Sequence, residues 1–294
     1  MHDHAEILKF TGPDVEGFDV YNPTAPFDDN GILTMAARVE SRNSETDTHV
    51  LFFTQKDDTW ERIPGTPSFP LQDPFITRIH GELVFGGVAY PVENNSWKTL
   101  FYRGKTVNEL TLFAEGPLTM KDIRVVELAD GRVGVFTRPM GEIGGRGKIG
   151  FTTIDSLDEL SSLDMAHAPL IEGQFGEDTW GGANEVQLLP SGLIGILGHT
   201  AMFGEDEAGN SLKIYRAMAF TFDPVKHAAS EIKIIAERTD FPDGEAKRDP
   251  EIKYVVISGG GALRDDGRMD YYCGLSDVNC AKAVIDNPFV DSIG

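Results

Sequence analysis

Four carboxyl groups and five basic groups recur in this chain at positions where they can act together. Counting seven residues on from five hairpin-type glycines, Gly31, Gly81, Gly131, Gly192 and Gly267, reaches Arg38, Val88, Arg138, His199 and Gly274. Counting back seven to ten residues reaches Asn22, Asp73, Lys121 with Asp122, and Asn184 with Glu185. Arg146 and Asp277 follow shortly after two of these positions. A carboxyl in a pocket serves as general acid or base, and two flanking a sugar are the usual requirement for glycoside cleavage. Guanidinium groups with a histidine suit an oxyanion such as phosphate, which arginine grips through two parallel hydrogen bonds. An acid facing an anion clamp matches inverting phosphorolysis, in which the leaving oxygen is protonated while phosphate attacks C1 from the opposite face. Hydrolysis instead needs a second carboxylate to activate water, and Glu185 and Asp122 are its candidates. Tyr21, Phe69, Phe75, Tyr90, Trp97 and Trp180 lie near the same positions, as sugar platforms or as core.

Short strands must carry these groups. Asn30-Gly31, His80-Gly81, Asp130-Gly131, Ser191-Gly192 and Asp266-Gly267 are each followed by a β-branched or aromatic run, such as Val133-Gly134-Val135-Phe136. Four of the five have Asn, Asp or Ser before the glycine, a pattern that supplies positive φ in tight β-turns. Helical periodicity is nearly absent: residues 155–163 and 277–285 each allow about two turns. The rest is punctuated by 32 glycines and 16 prolines, so this is an all-β chain. The turn glycines lie 50, 50, 61 and 75 residues apart, close to one four-stranded propeller blade each. A single domain over residues 1–294, folded as a five-bladed β-propeller, is the expectation, with an irregular β-sandwich as the alternative. In a hairpin the start of the first strand and the end of the second share one end. If the five hairpins are innermost in their blades, the polar groups gather at one mouth of the central channel.

Composition narrows the functions. With 47 acidic against 26 basic residues the formal charge is −21, a field that repels phosphate backbones and anionic lipid surfaces. Nucleic-acid and membrane roles are therefore not expected. No apolar run reaches the roughly 18 residues of a membrane span, and the start of the chain lacks a secretory pattern, so the expected compartment is the cytoplasm. Cys273 and Cys280 have no His or Cys at zinc-ligand spacing and read as buried free thiols. Gly145-Arg146-Gly147-Lys148-Ile149-Gly150 fits a dinucleotide fingerprint by letter, but a strand pattern follows where a helix is required. Ser258-Gly259-Gly260-Gly261 lacks the ending of a P-loop and reads as a turn or bulge. The His2-Asp3-His4 stretch reads as a frayed terminus rather than a metal site.

Along the chain, Tyr21-Asn22-Pro23, a strand ending in Arg38, Asp73-Pro74-Phe75-Ile76-Thr77, Lys121-Asp122, Thr137-Arg138-Pro139, Gly198-His199-Thr200 and Tyr271-Tyr272-Cys273-Gly274-Leu275-Ser276-Asp277 resemble a set of motifs in one family's order. The family is that of the five-bladed propeller glycosidases, and most closely the β-mannoside phosphorylases and hydrolases of glycoside hydrolase family 130. The last stretch is similar to the family's Tyr-Tyr-Gly-x-x-Asp signature, and Asp73-Pro74 stands in the place of its Glu-Asp-Pro-Arg motif. The resemblance implies that Asp73 is the general acid, acting through a sugar hydroxyl, and that Arg38, Arg138 and His199 hold phosphate. Lys121 stands in for a further family arginine, and Arg146 adds to the same basic set. Asn22, Tyr21 and Trp180 would contact the sugar, while Asp277 would bind its hydroxyls or orient the basic residues. Phe75 replaces the motif's arginine and Gln72 its glutamate. Glu185 sits where the related arabinanase-type propellers keep an acid. The implied activity is cleavage of a β-mannoside or similar glycoside, with inorganic phosphate as co-substrate and no other cofactor or metal. The alternatives are a hydrolase of the same fold using Glu185 or Asp122 as base, and a propeller that binds sugars or a protein partner without chemistry. An acid and a basic cluster together favour an enzyme, because a pure binder needs neither.

Overall fold

Residues 3–290 are described by the computed structural model. Strands dominate, in the order the turn glycines dictate. Strands β1 (Asp3–Ile7) and β2 (Lys9–Thr11) precede a meander of β3 (Asp19–Tyr21), β4 (Phe27–Asp29), β5 (Ile32–Glu40), β6 (Thr48–Lys56) and β7 (Thr59–Arg62). A second meander holds β8 (Gln72–Ile79), β9 (Glu82–Ala89), β10 (Lys98–Gly104) and β11 (Thr111–Glu115). A third holds β12 (Arg124–Glu127), β13 (Val133–Thr137) and β14 (Gly150–Ile154). The fourth runs β15 (Thr179–Leu188), β16 (Ile194–Glu205), β17 (Ser211–Asp223) and β18 (Ala228–Ala229), with β19 (Lys233–Ala236) also on β17. The fifth is β20 (Val256–Leu263), β21 (Met269–Leu275) and β22 (Asn279–Ile285). First and fifth meanders share one sheet, because β22 pairs in parallel with β3 at Asn279 and Val20.

Each of the five turn glycines joins two strands, but the turns are of two kinds. At Asn30-Gly31 and His80-Gly81 both residues have positive φ (55° and 86°, 50° and 82°), the mirror-image two-residue turn that suits strand twist. At Gly131, Gly192 and Gly267 only the glycine does, at 83°, 83° and 80°. These loops are one residue longer, closed by Leu128 N–H donating to Arg132 O at 2.8 Å and by its equivalents Leu189 to Leu193 and Arg264 to Arg268. Before Gly131 and Gly267 an Asp accepts a backbone N–H, as Asp130 does from Arg132 at 3.1 Å, and does not itself supply positive φ.

Two other expectations are corrected. Residues 277–285 form no helix. Cys280, Ala281 and Ala283 to Ile285 are all buried in β22, whose partners on β21 are in register from Met269 to Leu275. A strand covered on both faces has a continuous apolar run that mimics a helix pattern. The terminus is not frayed from Asp3 on, since β1 pairs with β22; Met1 and His2 lie outside the described residues. Residues 155–163 do turn, as a 3₁₀ segment at Leu157–Ser162 capped by Ser156 and Glu159.

The chain divides into two compact units. The first takes the described residues up to Pro74, with Ala201–Ala217 and Ile235–Asn287; the second takes Phe75–Thr200, Met218–Ile234 and the described residues from Pro288 on. In the first, Met35, Ala37 and Val39 of β5 pack with Leu51, Phe53 and Trp60, the i, i+2 spacing of a strand face. The second holds one cluster around Phe75, Phe101, Ile123 and Val135 and another around Phe136, Phe151, Ile196 and Phe222. Phe75 is thereby core and not a sugar platform: it is 4 % exposed and stands edge-on to Phe101. Its ring also fills the space over Gly86, where a Cβ would lie 2.4 Å from it. Cys273 and Cys280 are buried free thiols, as expected.

Candidate active site

Each unit carries one centre of buried charge. In the first, Tyr21 of β3 stands opposite Arg38 of β5, and Glu40 lies two residues on along β5. Residues two apart on a strand share a face, so Arg38 meets Glu40 directly: its Nε donates to Glu40 Oε2 at 2.9 Å, and its Nη2 to the same oxygen. Arg38 Nη1 donates to Asp73 Oδ1 at 3.0 Å, and Asn22 Nδ2 donates to the same oxygen at 2.8 Å. Tyr21 donates its hydroxyl to Glu40 Oε1 at 2.6 Å and lays its ring 4.8 Å from the Arg38 guanidinium. Asn22 Oδ1 is buried without a hydrogen-bond partner, pressed against Gly274, where any Cβ would collide with it.

Asp277 belongs to this centre electrostatically. Burial pushes its carboxyl up; Arg38 works against that, while Asp73 and Glu40 add to it, so the proton is held above the ordinary carboxylate range. Glu40 goes the other way. Burial raises it, but Arg38, Lys247 and Tyr21 together hold it below the usual range.

The second centre surrounds Asp122, two residues before β12, while Asp73 is the second residue of β8. Asp122 is 4 % exposed, with Arg138 Nη1 at 3.4 Å and Arg124 Nη2 at 4.0 Å. Burial raises its carboxyl, yet Arg138, Lys121, His199 and Arg124 outweigh this and keep it a carboxylate. Arg138 is fixed by Gly181 O, which accepts from Nε at 2.6 Å, and by Arg146 O at 3.3 Å from Nη2. Gly147, at φ 138°, passes so near that a Cβ there would lie 2.6 Å from the guanidinium. His199 meets Asn184 Oδ1 at 2.9 Å through Nδ1. That oxygen only accepts, so Nδ1 carries the proton and Nε2 the lone pair in the neutral ring. Arg124 donates to Asn184 O at 2.5 Å and lies over the Phe75 ring at 4.5 Å.

Asn22, Asp73 and Asp122 share a backbone feature: φ is 48°, 48° and 58°. Non-glycine residues hold this left-handed conformation at a cost of about 1–3 kcal/mol, and such strain gathers at working sites. Short polar side chains tolerate it best, which explains Asn or Asp at all three.

Of the residues singled out in the sequence, Asn22, Arg38, Asp73 and Asp277 are gathered in the first unit, and Lys121, Asp122, Arg138 and His199 in the second. The expected phosphate-holding cations are thus divided: Arg38 is set among carboxyl groups and the others among themselves. Two expected sugar contacts are corrected. Tyr21 is 1 % exposed and serves as a hydrogen-bonded support; Trp180 is 5 % exposed, and its ring carries the Arg146 guanidinium at 5.5 Å. Glu185 is half-buried on β15 next to Asn184, where strand alternation sends it to the opposite face. Sequence reasoning missed Glu40, which its spacing from Arg38 could have revealed, and Lys247, for which no local signal exists. The glycine stretch 145–150 contains no helix start; one α turn, Gly141–Gly144, precedes it and β14 follows. Among the described residues no cluster of three or more His, Cys, Asp or Glu could hold a metal, and no helix is long and apolar enough to cross a membrane.

Comparison with known proteins defines the class. A mannose phosphorylase from Leishmania mexicana, solved in complex with phosphate ion, is 38% identical over 100% of this chain and 91% of its own, with a TM-score of 0.92. A GDP-Man-dependent mannosyltransferase from the same organism is 34% identical over 98% of this chain and 90% of its own, with a TM-score of 0.89. A β-1,2-mannobiose phosphorylase from Listeria innocua shares the fold at 15% identity, over 96% of this chain and 94% of its own, with a TM-score of 0.65. The chain thus shares its fold with mannoside phosphorylases, the proteins its motifs resemble. Residues 2–291 match the family described as "Protein of unknown function (DUF1861)", and the chain belongs to that family. No curated protein sequence matches it.

Proposed function

We propose that this protein is a carbohydrate-active enzyme that cleaves a β-mannoside by inverting phosphorolysis. Phosphate held by Arg138, His199 and Lys121 attacks C1 of the mannosyl unit; the C1–O glycosidic bond breaks, and Asp73 delivers a proton to the departing oxygen. The products are a mannose 1-phosphate of inverted configuration and the freed alcohol. In this reading the five meanders are the blades of a five-bladed propeller.

One observation carries the reading. In an otherwise acidic chain, Arg138 and His199 are locked in place around a single carboxylate, in a protein 38% identical throughout to a mannose phosphorylase solved with phosphate. Supporting it, a fixed guanidinium, joined by an imidazole that donates from Nε2 once protonated, holds an oxyanion without reorganising.

The test is to incubate the protein with a panel of β-mannosides, with and without inorganic phosphate, and follow sugar 1-phosphate by phosphorus NMR. Phosphate-dependent formation of sugar 1-phosphate is expected. Free mannose at equal rates in both arms would replace phosphorolysis by hydrolysis. Turnover only when GDP-mannose is supplied as donor would replace it by mannosyl transfer.

A further inference from the structure

Lys247 lies in residues 241–255, a stretch with little regular structure between β19 and β20, yet its side chain is only 5 % exposed. Its Nζ donates to Glu40 Oε1 and, at 3.1 Å, to Ser44 O. Its backbone N–H donates to Ser276 O at 3.0 Å, the residue before Asp277. One residue therefore touches both ends of the first centre. Through its side chain it reaches Glu40, then Arg38, then Asp73; through its backbone it reaches the turn that carries Asp277.

We propose that Lys247 is a positioning residue of the active site, which engages Glu40 so that the Arg38 fork keeps one arm for Asp73. This rests on the assignment of Asp73 as the acid in the reading above. Glu40 has two oxygens and four donors: Arg38 supplies Nε and Nη2 to Oε2, while Tyr21 and Lys247 converge on Oε1. Remove Lys247, and a buried carboxylate keeps only a phenol on Oε1. Its strongest remaining partner is Arg38, which turns further onto Glu40 and loosens its Nη1 contact to Asp73. The charges around the acid pair change as well. Asp73 meets Arg38 of β5, and Asp277 faces Arg38 and Glu40 from β5, Tyr21 from β3, Asp73 from β8 and Arg248 from the irregular segment, while Lys247 joins the set through Glu40. Losing one positive charge from that set makes any carboxyl in it harder to ionise.

Lys247→Met tests this, with Lys247→Arg as the conservative partner. Expected for Lys247→Met is a fall in kcat of about ten- to a hundredfold with little change in KM, since the acid is misplaced rather than the sugar released. The alkaline limb of the pH profile should move up by about one pH unit. Lys247→Arg should restore the limb and most of kcat. A variant that merely melts at lower temperature, with kcat and limb unmoved, would overturn the proposal. A second readout needs no substrate: titrate protein carrying 13C-labelled aspartate carboxyls, assigned with Asp73→Asn and Asp277→Asn. The midpoints of Asp73 and Asp277 should rise in Lys247→Met and return in Lys247→Arg. Unmoved midpoints would refute the role of Lys247 whatever reaction the enzyme catalyses. Moved midpoints in a protein that forms no sugar 1-phosphate would retain Lys247 and refute phosphorolysis.

Discussion

In the first unit three carboxyl groups, Glu40, Asp73 and Asp277, share the cations Arg38 and Lys247. In the second a single carboxylate, Asp122, lies among Lys121, Arg124, Arg138 and His199. Both centres are buried, and burial alone pushes every carboxyl toward its neutral form. The neighbours decide the outcome. Asp277, crowded by other carboxyls, has its proton affinity raised; Asp122, crowded by cations, has it lowered. One fold thus raises the proton affinity of a buried carboxyl in one place and lowers it in another, using the same side-chain types in opposite proportions.

The comparison can be broken most forcefully at Asp73. Asp73→Asn keeps the acceptor for Arg38 but cannot release a proton, so turnover should fall by about two to four orders of magnitude while the protein folds normally. Steady-state rates on a confirmed substrate decide it, and wild-type turnover would remove the acid from the first unit.

Arg138→Met attacks the other side. It strips the nearest cation from a buried Asp122, a change that typically costs about 3–5 kcal/mol. Denaturant unfolding should show a loss of that order, together with loss of phosphate dependence in the assay. Unchanged stability would mean that Arg124 and Lys121 already suffice.

A smaller pair of effects separates the centres by sign. The carboxyl of Asp122 binds its proton less tightly folded than unfolded. The stability it contributes is present above the unfolded pKa of about 4 and fades as the pH falls through the lower folded value. Asp122→Asn should therefore be less stable than wild type at pH 7, with the gap closing in acid. Asp277 has the raised folded value, so its contribution is complete below a pH of about 4 and fades as the pH rises. Asp277→Asn should gain on wild type as the pH rises, even as it loses activity. Melting curves from pH 3 to 8 read both, and gaps of the same sign would erase the distinction.

The mildest substitution sharpens the choice of reaction. Glu185→Gln should alter phosphorolysis by about twofold or less, since surface and off-site changes are small. A loss of a hundredfold or so would make Glu185 the base of a hydrolase.

Much of this was legible in the residues. The five turn glycines each mark a hairpin, and the register counted from them led to Arg38, Asp73, Asp122, Arg138 and His199. What a register cannot tell is company. Arg38 and Arg138 occupy equivalent positions, yet Glu40 takes up the first while backbone oxygens of Arg146 and Gly181 hold the second. The pairing of Lys247 with Glu40 spans 207 residues, from an irregular segment to a strand, and no periodicity predicts such a contact. Tyr21 and Trp180 were misread because an aromatic near a polar motif looks alike whether it faces sugar or supports an arginine; only burial separates the two. The helix expected at 277–285 failed because a strand buried on both faces loses its alternation.

The parallel pairing of β22 with β3 has a consequence for how the protein is made. The groups of the second centre, from Lys121 to His199, leave the ribosome within one continuous stretch and depend on contacts inside it. Those of the first are split between the opening and closing segments of the chain, so Arg38 and Asp73 emerge long before Lys247 and Asp277. Domains fold as units during synthesis, and contacts between distant segments form late. The centre around Asp122 can thus be assembled on a nascent chain, whereas the centre of Arg38, Asp73 and Asp277 must wait for the closing segment, which makes it a product of completed translation.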